Sequence, residues 1–195
     1  VPDRYALRIP TDATNGLLRP VVGGYDPQSS DRLPVFSGEG VRLDDDQGLA
    51  PLKVVREEGA ASPQHKLAAR FGQQIGLLGY SLDPGETGLR PGDPLTVTLY
   101  FQSETPIDDD LIRFVQMHSP ESGMAAQFDS QPAQGDNPTW SWKAGEVVED
   151  QVVLTISPEA APGSYRLLLG FYQPATGDRV AVIDQAGMAA PDQAL

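Results

Sequence analysis

Two tryptophans stand two positions apart in TWSWKAGE, Thr139–Glu146, and they are the residues best equipped to recognise a ligand. The C–H face of a sugar ring stacks on an indole, and residues i and i+2 of an extended chain point the same way. Trp140 and Trp142 could therefore line one surface as a carbohydrate platform. The alternative is that Trp142 belongs to the core while Trp140 covers a sheet edge. Two acidic triplets, Asp44-Asp45-Asp46 and Asp108-Asp109-Asp110, offer the hard oxygens that Ca2+ prefers. Neither has the spacing of an EF-hand loop or of a glycine-aspartate repeat, so a solvated loop or turn cap explains them more simply. No other cofactor is suggested.

Hydrolytic chemistry has weaker material. His65 and His118 are the two histidines, and neither sits in a motif that supplies a nucleophile and an orienting acid. Asp129, Glu146, Glu149 and Asp150 could furnish a carboxylate pair for glycoside hydrolysis, but the separation of such a pair sets that mechanism and sequence does not give it. Cysteine is absent, which removes disulfides, thiolate zinc sites and cysteine nucleophiles. The formal net charge is −13, from 27 acidic against 14 basic residues, a field that repels nucleic acid and anionic membrane surfaces. The longest apolar runs, such as YRLLLGFY, are too short to span a bilayer, so no membrane insertion by this chain is expected. The opening VPDRY has neither Met nor a basic and apolar leader, as expected of a mature product or an excised piece.

The elements that must position these residues are short. Among 195 residues there are 20 glycines and 18 prolines, with 39 % hydrophobic residues, a composition that supports a core cut into many segments. DPLTVTLYFQS alternates cleanly, with Leu95, Val97, Leu99 and Phe101 on one face. IGLLGYSL (Ile75–Leu82), LIRFVQMH (Leu111–His118) and GMAAQFDS read as further strands. EVVEDQVVLTIS reads as a strand broken by a bulge at its acidic centre. SYRLLLGFY, the turn QPATGD and RVAVI together read as a hairpin, with Asp178-Arg179 as a salt-linked or hydrogen-bonded structural clamp after the turn. HKLAARFG is the best helix candidate. Strands at this spacing with Pro/Gly turns argue for an all-β chain, an antiparallel β-sandwich of immunoglobulin-like or jelly-roll-like type.

The chain also resembles itself. GGYDPQSSDRL returns as GFYQPATGDRV, 147 positions later (170 − 23). The match runs without a gap from residues 6–35 against 153–182, and the same register pairs Gly40 with Gly187 and Asp45 with Asp192. A gapless match of this length indicates a repeat. The expected organisation is the last strands of a preceding sandwich over residues 1–56, ending in the strand Leu52–Val55, then a linker over 57–66 and a β-sandwich domain over 67–195.

The ordered set FGQQIGLLGYSLD, LRPGDPLTVTLYFQSETPIDDDLIRFVQM, AAQFDSQP, NPTWSWKAGEVVEDQVVL and APGSYRLLLGFYQPATGDRV resembles a β-sandwich domain. That domain occurs, in tandem copies, in the extracytoplasmic C-terminal parts of bacterial membrane glycosyltransferases of the protein-mannosyltransferase and aminoarabinose-transferase class, in Chloroflexi-like bacteria. The resemblance covers about Leu67 to Ile183 and the tail of the preceding copy to about Val55. It implies a non-catalytic accessory domain in the cell envelope, with transferase chemistry confined to a membrane part outside this sequence. The family usually has His where this chain has Gln116, which weakens a polar site on that strand, and a small residue where this chain has Trp140. Gln116, Trp140 and Trp142 remain the candidate ligand contacts. Envelope glycans and neighbouring copies of the same domain are the candidate partners, the latter through open strand edges.

Overall fold

The computed structural model describes residues 4–55, 62–85, 88–184, 186–190 and 194–195. They are all-β, with no α-helix, and fall into two compact units, Val1–Val54 and Val55–Leu195.

The first unit is built from six strands of two or three residues: β1 (Gly16–Leu18), β2 (Val21–Val22), β3 (Val35–Phe36), β4 (Arg42–Asp44), β5 (Gln47–Gly48) and β6 (Leu52–Val54). They pair antiparallel as β1 with β6, β2 with β5 and β3 with β4. Leu17 is the only fully buried large hydrophobic side chain among the unit's described residues, and Leu7, Val22, Leu33 and Phe36 are exposed.

The second unit is a sandwich. Its strands are β7 (His65–Phe71), β8 (Ile75–Asp83), β9 (Pro94–Ser103), β10 (Ile112–Ser119), β11 (Gly123–Ser130), β12 (Val147–Thr155), β13 (Arg166–Tyr172) and β14 (Val182–Ile183). One sheet runs in the order β12-β9-β8-β7-β14 and the other in the order β11-β10-β13. Alternation places the inward faces: Leu95, Val97, Leu99 and Phe101 on β9 and Val148, Val152 and Leu154 on β12 are all buried. The core centres on Phe101, whose ring lies 5.2 Å from Phe171, 5.9 Å from Trp142 and 6.2 Å from Phe71, mostly edge-on.

Three expectations are corrected. HKLAARFG forms no helix: from His65 it is β7, so His65 and Lys66 belong to the sandwich rather than to a linker. The rest of the expected linker lies largely outside the described residues. Leu67, Ala69 and Phe71 carry a period of two, and pairing with β8 and β14 on either side overrides the helical propensity of Lys, Leu and Ala. The acidic centre of β12 holds no bulge, because β12 and β9 pair in unbroken register from Val147↔Gln102 to Thr155↔Pro94. A shift falls instead between Leu77 and Gly79 on β8, where a Cβ on Gly79 would collide with the His65 carbonyl oxygen. Third, β13 and β14 are not partner strands. The bridge Tyr172↔Arg179 closes the turn, and the chain then crosses so that β14 pairs with β7 in the opposite sheet.

The two similar stretches share their backbone geometry at the same 147-residue offset (172 − 25). Tyr25↔Arg32 repeats as Tyr172↔Arg179. The bonds Asp26 N to Asp31 O, Ser30 N to Asp26 O and Leu33 N to Gly24 O repeat as Gln173 N to Asp178 O, Gly177 N to Gln173 O and Val180 N to Phe171 O. Further on, Ser37 N to Val41 O repeats as Asp184 N to Met188 O. The Ser37 hydroxyl accepts from the amides of Glu39 and Val41, and the Asp184 carboxylate accepts from those of Ala186 and Met188.

Candidate functional site

The loop from Gln131 to Glu146 joins β11 to β12 and contains both tryptophans. At its base is a buried ion pair. Arg113 on β10 and Asp150 on β12 point inward among apolar neighbours, and the Arg113 Nε donates to Asp150 Oδ2 at 2.8 Å with both side chains fully buried. Burying two charges is tolerated only when their remaining hydrogen-bonding capacity is met. Here Arg113 also donates to the Phe128 carbonyl (3.1 Å) and to Ser130 Oγ (3.0 Å), and its guanidinium lies 5.7 Å from the Phe128 ring centre. Asp150 Oδ1 accepts the Ala133 amide at 2.8 Å. Ala133 and Gln134 have φ of 50° and 52°, a left-handed conformation unfavourable for side-chain-bearing residues. Asp150 thus ties a strained turn to the core.

The rest of the loop is held as firmly. The Thr139 hydroxyl donates to the Asp109 carbonyl (2.6 Å) and accepts the Leu111 amide (2.9 Å). Ser141 Oγ donates to the Pro138 carbonyl at 2.8 Å. Trp142 Nε1 donates to the Asn137 carbonyl at 2.8 Å, and Glu146 accepts the Lys143 amide at 2.9 Å. Within the buried run Asn137–Trp142, one side chain is left outside: Trp140.

The tandem-tryptophan platform is therefore corrected. Trp142 is 1 % exposed and belongs to the core, whereas Trp140 is 46 % exposed. The segment Thr139–Ser141 is a turn of 3-10 helix rather than extended chain, so positions i and i+2 do not share a side. Gln116 sits half-buried on β10, opposite Gln127 and Leu168, and alternates with the inward-facing Val115 and Met117. It lies on the outer face of its sheet, away from Trp142.

The remaining candidates are distributed among separate partners. His65 stacks on Tyr80 at 4.7 Å in one sheet, while His118 lies on β10 in the other. Asp46 pairs with Arg32 and Asp45 with Arg42, while Asp44 accepts the Asp45 amide. Asp109 and Asp110 accept from the side-chain amides of Gln173 and Gln131. No group of three metal-ligating side chains occurs among the described residues. Asp129 accepts the Tyr172 hydroxyl; burial first, then the charge and hydrogen bond of Asp129, push the Tyr172 phenol above its ordinary range. Beside that pair Arg179 spreads over the Phe114 ring at 4.5 Å. The arginine of the expected clamp after the turn thus rests on an aromatic ring.

Sequence reading missed Arg113. Its signal was a single cation within an apolar strand, together with Asp150 in phase with Val148, Val152 and Leu154.

Comparison of the chain with protein-family models, with curated proteins and with solved structures finds no match in any of the three.

Proposed function

We propose that this chain is a non-catalytic accessory module of a cell-envelope protein, extracytoplasmic, built from tandem β-sandwich copies. The observation that carries the reading is the hydrogen-bond pattern repeated at an offset of 147 residues: repetition of one unit is how chains build spacers and extended surfaces. The buried polar groups fit the same role. Arg113, Asp150, Glu146 and Thr139, which could have served chemistry, are bound to backbone and to each other at the sandwich end. The resemblance to the extracytoplasmic domains of membrane glycosyltransferases points to the same compartment and setting.

A second reading, a carbohydrate-binding module, is favoured by Trp140: an exposed indole on a loop with few degrees of freedom loses little entropy when a sugar stacks on it. The test is titration of the chain, and of a folded Trp140→Ala variant, against a panel of bacterial envelope glycans. The accessory reading expects no saturable binding by either protein. Saturable binding abolished in the variant replaces it with the glycan-binding one.

A further inference from the structure

The sandwich has an unfilled place between its sheets. A trough of about 540 Å³ opens at the end away from the Phe101 cluster. Its walls include Leu67, Tyr80, Leu89, Met117, Leu167 and Leu195, all only partly buried although packed on the core. One rim of the trough is β13. Leu169 exchanges both backbone hydrogen bonds with Leu195, each 3.0 Å. In an antiparallel ladder the groups of residue i−2 point the same way, so Leu167 offers its N–H and C=O along the same edge. No described residue takes them.

The first unit has that edge covered. Gly16, Leu17 and Leu18 of β1 pair with Val54, Lys53 and Leu52 of β6. Moving both strands of this ladder forward by 147 residues places β1 on residues 163–165. The moved β1–β6 register is the one in which Leu195 already faces Leu169, whereas β2 and β5, which carry their counterparts Val22 and Gly48, pair one residue out of it, as Val21↔Gly48 and Val22↔Gln47. Two observations thus meet: a partly filled apolar trough, and a strand pairing that starts at Leu195 in the register that would cover it.

We propose that this trough is the seat of one further β-strand, of the Leu52–Val55 type, entering in line with Leu195. It would run antiparallel to β13 and the residues just before it, the Leu52 equivalent opposite Tyr165 and the Ala50 equivalent, which leads into the strand, opposite Leu167. In that register the equivalents of Leu52 and Val54 face the trough, and the equivalent of Lys53 faces solvent. The strand is recognised by chemistry that β-augmentation uses generally: backbone pairing for affinity and alternate apolar side chains for register. The proposal rests on reading the two segments as copies of one unit.

The experiment extends the full chain after Leu195 with residues 49–55, Leu-Ala-Pro-Leu-Lys-Val-Val, which continue the register. Amide exchange at Leu167 and thermal unfolding are measured against the unextended chain and against an extension carrying Leu52→Asp and Val54→Asp in the added segment. The extended chain is expected to exchange Leu167 at least tenfold more slowly and to gain about 5 °C or more in Tm, with the Asp-bearing extension gaining neither. Unchanged exchange and Tm, or equal protection by the Asp-bearing extension, would overturn the proposal. So would concentration-dependent dimerisation of the unextended chain that itself protects Leu167, since the seat would then belong to a second copy. Loss of the Leu169–Leu195 pairing in solution would overturn the proposal as well, because the register depends on that pairing, whereas loss of the repeated turn bonds at Ser30 and Gly177 would instead remove the copy reading.

Discussion

One turn is built twice in this chain, in very different company. Residues 23–42 and 170–189 share a bridge, a left-handed residue and a series of backbone hydrogen bonds at matching positions. Their surroundings differ. Leu154 is 1 % exposed, while Leu7, its counterpart 147 positions earlier, is 83 % exposed; Leu169 is 7 % exposed and its counterpart Val22 is 52 % exposed. Turn geometry is therefore set locally, by Pro, a left-handed position and side-chain caps. Burial comes from eight strands in two layers, which among the described residues only the second unit has.

The hardest break of that contrast lies inside the sandwich. Arg113→Ala leaves Asp150 buried without its partner and is expected to cost about 3–5 kcal/mol in chemical denaturation. Replacing both, Arg113→Met with Asp150→Leu, is expected to recover most of the loss, because the expensive species is the lone buried charge. Amide exchange at Ala133 should accelerate in both variants, because Arg113→Ala removes the partner that holds Asp150 in place and the double variant removes the carboxylate that accepts the Ala133 N–H. Recovery of stability without recovery of Ala133 protection would separate the ion pair's role in the core from its role in the loop.

The matched positions give a direct measure of what burial adds. Leu154→Ala is expected to cost about 2–5 kcal/mol, while Leu7→Ala should fall within about 0.5 kcal/mol of the parent. Similar costs at the two sites would show that the first unit hides Leu7 in solution, and the contrast in burial between the two regions would fail.

Much of the sandwich was legible in the sequence because its signal is alternation. On β9 four apolar residues fall on alternate positions, and all four are buried. On β7 the alternation was present too, in Leu67, Ala69 and Phe71, but Lys, Ala and Arg speak for helix, and only the neighbouring strands decide. The crossing of β14 to the far sheet was not legible. QPATGD specifies a tight turn whether or not the strands beyond it stay together. The candidate site was half legible: the sequence singled out the loop with its tryptophans, but the 3-10 turn that separates Trp140 from Trp142 depends on bonds from Thr139 and Ser141. Arg113 and Asp150 are 37 residues apart, and nothing local joins them.

Within the turn itself the two copies differ at one left-handed position. Ser30 has φ +63° and Gly177 has φ +76°. A Cβ on Gly177 would meet nothing within 4 Å, so Gly177→Ala carries a conformational penalty alone, expected near 1 kcal/mol. Ser30→Gly relieves the same strain in the first copy but gives the unfolded chain more freedom, so the net gain should stay below about 1 kcal/mol. Exchange of the residue 30 and residue 177 amides, each bonded to a carbonyl four residues back, reports both effects at the turn. Changes of equal sign at the two positions would mean that surroundings, not local conformation, control the turn.

The smallest effect concerns the tyrosine that opens each turn. Tyr25 is exposed, whereas Tyr172 is half-buried and donates its hydroxyl to Asp129. At neutral pH Tyr172→Phe should cost about 1 kcal/mol, the scale of one hydrogen bond, and Tyr25→Phe much less. The pH dependence follows from the direction of the shift. Burial and the Asp129 carboxylate favour the protonated phenol in the folded state, so its pKa lies above the unfolded value of 10.0. The folded state then holds its proton longer than the unfolded one. The stabilisation is complete below pH 10 and is lost as pH rises through the folded-state value. Denaturation of parent and Tyr172→Phe chains between pH 8 and about pH 11 should therefore show a gap that narrows only at the alkaline end. A gap that stays constant across that range would mean that the hydroxyl acts by packing rather than by its bond to Asp129. The second turn would then differ from the first in burial alone.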